Sequence, residues 1–202
     1  MPKKKWVEFN REVILTSAEI VFENKGYEAA SVDDIAFKAG ISKSTIYVYF
    51  KSKKLIWDSI ICGYMEQLLE FAKKASKDNY GFEKRYYQLC FDIADKFEEH
   101  PLFYKAAFGN VFMESDQEVY KKIYDVTEQT HEAIAAFIRS GIDEGVVKKE
   151  LDVYPAVIML WSSISGIVSM ALDKEDYLKI RFSMTKKEYL KKAFKVLWDG
   201  IS

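Results

Sequence analysis

The chain has 202 residues, of which 49% are hydrophobic and 30% charged, and its formal net charge is -1. This length allows one domain, or a small N-terminal unit joined to a larger one. The near-zero net charge argues against a general polyanion-binding protein. The N-terminal end is nevertheless basic, because residues 1–56 hold 10 Lys or Arg against 7 Asp or Glu.

Helical patterns fill the chain and strand patterns are nearly absent, so the sequence predicts an all-α protein. The first helix is expected from about Trp6 to Lys25, with Gly26 as its stop. Its apolar face consists of Ile14, Ala18, Val21 and Phe22.

Residues 31–55 contain two short helical patterns separated by a glycine turn. Ser31 can cap the first helix, and Asp34 stands where it would complete a capping box. Gly40 can end that helix because glycine adopts a positive φ without strain, and Ser42 is placed to cap the next one. Together with the first helix, this arrangement predicts a three-helix domain with a helix-turn-helix.

The second helix of this motif has an apolar side and a mixed outward side. Ile46 and Phe50 lie four residues apart and predict the buried side. Tyrosines beside lysines on the outward side suit a DNA groove, whereas a plain helical hairpin with a solvated face is the simpler alternative. The outward row consists of Lys43, Ser44, Thr45, Tyr47, Val48 and Tyr49.

Many residues stand at fixed spacings around this motif: Phe22, Gly26, Tyr27, Ser31, Val32, Ile35, Ala36, Ala39, Gly40, Ile41, Ser42, Thr45, Ile46, Tyr47, Tyr49, Phe50, Lys53 and Leu55. Their order, over about residues 8–60, resembles the N-terminal DNA-binding domain of the TetR (tetracycline repressor-like) family of bacterial regulators. Two positions depart from the family pattern. Asp33 stands where many relatives carry Arg or another polar residue, and Tyr49 replaces a frequent His.

The resemblance implies a DNA-binding domain over residues 1–51 and a helical effector-binding and dimerisation domain over residues 52–202. Lys43, Ser44 and Tyr47 are the expected base contacts, because the N-terminal part of a recognition helix meets base edges. The rest of the predicted DNA-binding set consists of Thr45 and Val48 and, for phosphates by resemblance, Ser31, the backbone N–H of Val32, Ser42, Tyr49 and Lys53.

Longer helices are predicted in the C-terminal part. They are expected at about residues 52–75, 82–99, 102–108 and 116–144. Beyond them lies a charged connector at residues 173–184, and then a last helix that opens with a capping box of Thr185 and Glu188. Its expected apolar stripe consists of Leu190, Phe194, Val196, Leu197 and Trp198.

Residues 153–172 form a segment without charges that is long enough to span a membrane. Its serines, Gly166 and the flanking Asp152 and Asp173 favour a core helix instead, which Asp152 would cap. This helix and the last one are more apolar than a monomer easily hides, which predicts a subunit interface. The resemblance implies a homodimer through these two helices, and completion of the monomer core is the alternative.

The C-terminal part also carries many aromatic residues. Aromatic residues at helical spacing more often form a core than a ligand site, but the resemblance implies a cavity for a small-molecule effector. The expected lining of an apolar pocket consists of Tyr64, Phe91, Phe103, Phe108, Phe112, Tyr124 and Trp161.

The sequence offers no constellation for catalysis, metal binding or a cofactor. His100 and His131 are isolated, and Cys62 and Cys90 lack CxxC spacing, which fits core thiols in a reducing cytoplasm. We therefore expect a cytoplasmic homodimeric repressor that binds a double-stranded DNA operator and is released by an apolar or aromatic effector. An enzyme that uses the aromatic cavity and a helical protein-interaction module are the alternatives.

Overall fold

The structure, a computed structural model, describes residues 3–77, 79–102, 104 and 117–202. All regular structure in these ranges is helical, which confirms the all-α prediction. The helices, numbered in chain order among the described residues, are α1 (Lys3–Ala29), α2 (Val32–Ala39), α3 (Lys43–Tyr49), α4 (Lys53–Lys77), α5 (Phe82–Glu99), α6 (Gln117–Asp143), α7 (Val153–Asp173), α8 (Glu175–Phe182) and α9 (Lys186–Ile201).

The described chain divides into two compact units. The first runs up to Tyr64 and includes residues 117–123, and the second starts at Met65 and includes Tyr124–Ser202. Helix α4 therefore begins in the first unit and ends in the second. The functional boundary after residue 51 stays a prediction.

The core of the first unit forms where α1, α2 and α3 meet. The four residues of the predicted α1 face are all buried, as are Ile35 on α2 and Ile46 on α3. Phe22 packs edge-on against Trp57 of α4, with ring centroids 5.2 Å apart. Helix α1 extends past its predicted end but breaks at Gly26, whose φ of 77° is not helical.

In the second unit α7 packs against α5 and α9. The ring of Phe82 on α5 stacks on Phe137 of α6 at 4.3 Å, and Tyr86 donates a hydrogen bond to the Phe194 carbonyl of α9 at 2.9 Å. Gly141 of α6 lies against Phe82 so closely that an added Cβ would stand 2.7 Å from the ring. Glycine therefore fits there without a shift of its neighbours, and even alanine does not.

One face of α7 is buried, and it consists of Ala156, Val157, Leu160, Ile164, Val168 and Ala171. The opposite face is exposed, so within one chain the predicted core helix is buried on one side only. Asp152 occupies the predicted N-cap position, but its side chain makes no capping hydrogen bond. Residues 153–173 form the one described helix long and apolar enough to cross a membrane.

The C-terminal end differs from prediction in two respects. The expected connector contains α8, which ends at Ser183 in the left-handed conformation with φ 48°. Val196 of the predicted α9 stripe points to solvent and is 72% exposed, whereas Leu190, Phe194 and Trp198 are buried. The capping box of Thr185 and Glu188 is confirmed, with the Glu188 N–H donating to Thr185 Oγ1 at 3.3 Å.

Candidate nucleic-acid interface

Helix α2 begins with a complete capping box. The Asp34 N–H donates to Ser31 Oγ at 3.1 Å, and the Ser31 N–H donates back to Asp34 Oδ2 at 2.9 Å. Lys25 donates to the other carboxylate oxygen at 2.6 Å. These bonds, that of Lys25 first, lower the pKa of Asp34 from 3.8 to about 2. The start of α2 is thus held against the end of α1.

The turn between α2 and α3 depends on Gly40. Its φ of 67° is left-handed, and the Ile41 N–H donates to the Ala36 carbonyl at 3.1 Å, which closes the end of α2. Ser42 then caps α3 by accepting from the Thr45 N–H at 3.1 Å. The predicted start and stop signals of the helix-turn-helix are all confirmed.

Helix α3 is seated by its apolar side and exposes the other. Ile46 and Phe50 are 0% and 1% exposed, as their spacing predicted. On the outward side Tyr47 is 46% and Val48 is 78% exposed, and Lys43 and Ser44 are exposed as well. An aromatic ring and an aliphatic side chain therefore face solvent beside a lysine on one short helix.

The C-terminal end of α3 is tied to α1 through Tyr49. Asn10 donates to the Tyr49 hydroxyl at 2.7 Å, and Arg11 donates to the Tyr49 carbonyl at 2.9 Å. The Arg11 guanidinium also lies 4.3 Å from the centroid of the Phe50 ring. Sequence reasoning did not identify Asn10 and Arg11, because contacts across about forty residues leave no local pattern.

Lys53, a predicted phosphate contact, holds the C-terminal end of α1. Its ammonium donates to the carbonyls of Tyr27 at 2.7 Å and Ala30 at 2.9 Å, and lies 4.4 Å from the Tyr27 ring centroid. A cation at that position interacts favourably with the negative end of the helix dipole. Its contact with a phosphate stays a prediction.

Lys43, a predicted base contact, forms an ion pair with Asp33. Its ammonium donates to Asp33 Oδ2 at 2.7 Å, and this bond raises the pKa of Lys43. The pair joins the first residue of α3 to the second residue of α2.

The structure brings the predicted DNA-binding residues together in the first unit. Ser31 and Ser42 lie at the two helix starts, and the Val32 side chain is buried, so only its backbone N–H could reach a phosphate. Thr45 is half-buried and bonds with Ser42 through its hydroxyl at 2.8 Å. All of these DNA contacts stay predictions.

The predicted effector-pocket residues do not share one environment. Tyr64 is buried, Phe91 packs edge-on against Phe194 at 5.4 Å, Trp161 is half-buried and Tyr124 is 56% exposed. Phe103, Phe108 and Phe112 lie outside the described residues. The lining of an effector cavity stays a prediction.

A separate surface groove of about 420 Å³ in the second unit is polar, and none of the predicted pocket residues lines it. Buried Arg85 forms an ion pair with Glu144 there and donates to the Ala75 carbonyl at 3.0 Å. Both cysteines are buried, and burial raises the pKa of the Cys90 thiol. In the described part of the chain, no His, Cys, Asp and Glu side chains cluster as a metal site would require.

Comparison with known proteins places this interface in a family. Residues 14–57 match the family model described as bacterial regulatory proteins, tetR family. The chain is 27% identical over 154 residues to the biofilm operon icaADBC HTH-type negative transcriptional regulator IcaR of Staphylococcus aureus, covering 75% of this chain and 79% of the relative. It is 26% identical over 136 residues to the uncharacterized HTH-type transcriptional regulator YhgD of Bacillus subtilis, covering 67% and 69%.

Solved structures show the same fold over nearly the whole chain. The transcriptional regulator FadR from Bacillus subtilis, crystallised in complex with stearoyl-CoA, aligns with a TM-score of 0.72 at 21% identity, covering 95% of this chain and 99% of the other. The TetR family regulator PfmR from Thermus thermophilus aligns with a TM-score of 0.70 at 24% identity, covering 94% and 98%. The capped helix-turn-helix therefore lies in a DNA-binding domain of the tetR type, and the chain has the fold of solved transcriptional regulators of that family.

Proposed function

We propose that this protein is a TetR-family transcriptional regulator, a homodimeric repressor that binds a pseudo-palindromic DNA operator through α3 and is released by a small, largely apolar effector. The observation that carries the proposal is the outward side of α3. Tyr47 and Val48 are exposed on a helix whose opposite side is completely buried. Large apolar side chains on a polar surface mark an interaction site, and the neighbouring lysines suit a polyanion.

The base contacts would come from the N-terminal half of α3. A lysine ammonium can donate to guanine O6 or N7, and a serine hydroxyl can pair with any base, so Lys43 and Ser44 have suitable chemistry. Tyr47 lies one turn further along and is 46% exposed. Val48 could meet a thymine methyl group, because its exposed surface is apolar.

Tyr49 is suited to a phosphate contact. Its hydroxyl already accepts a hydrogen bond from Asn10, which leaves its own O–H to donate. The bond from Asn10 also fixes the direction of the side chain, and the bond from Arg11 holds the Tyr49 backbone. A donor held in this way can set the register of α3 on the duplex.

The homodimer is supported by the outer surface of the last three helices. Ile158, Met159 and Met170 of α7 are 53%, 42% and 44% exposed, and Ile180 of α8 is 83% exposed. Val196 of α9 adds a further exposed aliphatic side chain. Covering such side chains with a second copy removes apolar surface from water, which favours association.

Two recognition helices on a two-fold axis must match major-groove faces about 34 to 36 Å apart. An effector that binds better to a different spacing would therefore release the operator, and α4 is the proposed path because it begins in the first unit and ends in the second. An apolar effector is supported by the aromatic residues of the second unit. The stearoyl-CoA bound to the structurally similar FadR is a suitable first probe.

Repression is supported by the relationship to the negative regulator IcaR. A cytoplasmic site of action follows from the proposed DNA target.

Operator binding is tested by a fluorescence-anisotropy titration with duplex DNA from the region upstream of the protein's own gene and with a scrambled duplex. We expect the upstream duplex to bind at least about a thousandfold more tightly. Equal affinities that both fall steeply with salt would show general phosphate binding and contradict the proposal.

The effector is tested with the same upstream duplex. Adding stearoyl-CoA to the protein-DNA complex should lower the anisotropy toward that of free DNA, while free coenzyme A serves as the control. Release by both compounds would point to the nucleotide portion and contradict an apolar effector.

A further inference from the structure

The ion pair between Asp33 and Lys43 spans the two helices of the helix-turn-helix. Asp33 is the second residue of α2 and Lys43 is the first residue of α3, and their charged atoms lie 2.7 Å apart. Both are exposed, with Asp33 at 67% and Lys43 at 49% of the side chain. An acidic side chain thus lies beside the base-contacting end of the recognition helix, on a surface that is proposed to face a polyanion.

The capping bonds of α2 do not involve Asp33. The capping box of α2 is formed by Ser31 and Asp34, and Lys25 pairs with Asp34 rather than with Asp33. An exposed ion pair contributes little to stability, because both charges are solvated in the unfolded chain and screened by salt in the folded one. Apart from the favourable place of its charge in the first turn of α2, the effect of Asp33 therefore falls on Lys43.

The pair changes what Lys43 can do on DNA. A lysine side chain without a partner rotates freely and can reach several phosphates, which strengthens binding to any sequence. Bonded to Asp33, the ammonium keeps two of its three donors for a base edge but has a defined direction. Its charge is also offset, so its attraction to phosphates is weaker.

We propose that Asp33 is a specificity-determining residue that acts through Lys43, by directing this lysine to a base and keeping it from phosphates. The inference rests on the proposed operator binding. It explains how an acidic residue can be useful on a DNA-binding surface: it weakens binding to unrelated sequences more than binding to the operator.

The experiment uses the full-length protein and two duplexes. One is the sequence that the wild-type protein selects from a random duplex library, and the other is a scrambled duplex of the same composition. Affinities are measured by fluorescence anisotropy over a series of salt concentrations for the wild type, Asp33→Asn, Lys43→Gln and the double variant. Asp33→Glu tests rescue, and Glu28→Gln is the matched control, because it removes one exposed negative charge from the same unit.

We expect Asp33→Asn to bind the scrambled duplex more tightly, with a slope of log affinity against log salt steeper by about 0.9, as one added phosphate contact predicts. The ratio of selected to scrambled affinity should fall roughly fivefold, the lower end of what one base contact contributes. Asp33→Glu should restore most of the ratio. Glu28→Gln should change both affinities alike and leave the ratio unchanged.

The Lys43→Gln background decides the mechanism. In that background Asp33→Asn should no longer change the ratio of selected to scrambled affinity. If the ratio falls as much as it does in the wild-type background, Asp33 contacts DNA by itself, and the inference is overturned. An unchanged ratio for Asp33→Asn in the wild-type background would overturn it as well. If the wild type fails to discriminate the two duplexes, the proposed operator binding is wrong and the inference falls with it.

Discussion

The outward side of α3 and the outer surface of α7 to α9 are both exposed, but they differ in chemistry and in how they are held. Helix α3 begins with a side-chain cap, and its exposed row mixes lysine, serine and tyrosine with one valine. Helix α7 begins without a side-chain cap bond, and its exposed side carries Ile158, Met159 and Met170. The first surface is complete within one chain, whereas we propose that a second copy of the chain covers the second.

The largest effect is expected from a charged residue placed on the second surface, the outer surface of α7 to α9. Ile158→Asp should raise the dimer dissociation constant at least about a hundredfold, because each unpaired charge buried at an interface costs roughly 3 kcal/mol and a two-fold dimer carries the substitution twice. The monomer should keep its fold, since Ile158 is 53% exposed within one chain. Sedimentation velocity over a dilution series measures the change.

Lys73→Glu is the control for that experiment, because it changes the charge of an exposed part of α4 that lies outside the proposed dimer surface. If Ile158→Asp stays dimeric at the same concentrations as the wild type, the outer surface of α7 is not the subunit interface.

Removing the ring of Tyr47 tests the first surface. Tyr47→Ala should weaken operator binding at least about tenfold, while the free energy of unfolding changes by no more than about 0.5 kcal/mol, because the side chain is exposed. Anisotropy and chemical denaturation give the two values. Tyr80→Ala, which removes an exposed tyrosine of the second unit, should leave operator affinity unchanged. Equal affinity for the folded Tyr47→Ala variant would contradict the role given to α3.

A change at Gly141 should destabilise the interior of the second unit. In Gly141→Ala the new methyl group would meet Phe82 and Val147, so we expect a loss of about 2 kcal/mol in the free energy of unfolding. Gly63→Ala in α4 has no atom within 4 Å of the new Cβ and should gain about 0.5 kcal/mol. Urea denaturation compares the two variants, and equal stabilities would disprove the close approach.

Substitution of Gly40, in the turn before α3, should lower the free energy of unfolding through backbone strain alone. Gly40→Ala meets no atom within 4 Å, but its φ of 67° is unfavourable for alanine, so a loss of about 1 kcal/mol is expected. Gly40→Asn should lose less, because asparagine tolerates the left-handed conformation better. The opposite order in urea denaturation would mean that the turn does not keep this conformation.

The smallest expected effect is the pH dependence of stability that comes from Asp34 in the capping box of α2. Because the folded-state pKa of Asp34 is about 2 and its ordinary value is 3.8, the ionised group stabilises the fold above about pH 4, and this contribution is lost as the pH falls toward 2. Carboxyl NMR should follow this titration, and Lys25→Gln should raise the pKa. An Asp34 pKa near 3.8 in the wild type would contradict the observed bonds.

Local signals account for the parts of the fold that the sequence predicted well. Capping residues, a left-handed glycine and apolar spacing act over three or four positions, so the starts of α2, α3 and α9 and the bounds of α5 agree with expectation. Helix α8 was missed because its eight residues have no clear apolar face. It is held by its contacts with α7 and α9 and by Ser183 at its end.

In the candidate site, too, local sequence patterns predicted the helices and their exposed side but not the contacts between distant residues. The outward row of α3 followed from its spacing, but the bonds of Tyr49 to α1 and of Lys53 to the carbonyls of α1 join residues far apart in sequence. Sequence reasoning noticed Asp33 only as a departure from the family pattern. Its pairing with Lys43 depends on how the turn at Gly40 brings the two helix starts together, which no short pattern records.

The length of α3 has a practical consequence. Seven residues make two turns, and an isolated helix that short does not persist in water. A synthetic peptide of residues 42–50 should therefore be unstructured and should fail to compete with the intact regulator for its operator. A shortened version of this protein would have to retain α1, because Asn10 and Arg11 bond to Tyr49 at the C-terminal end of α3.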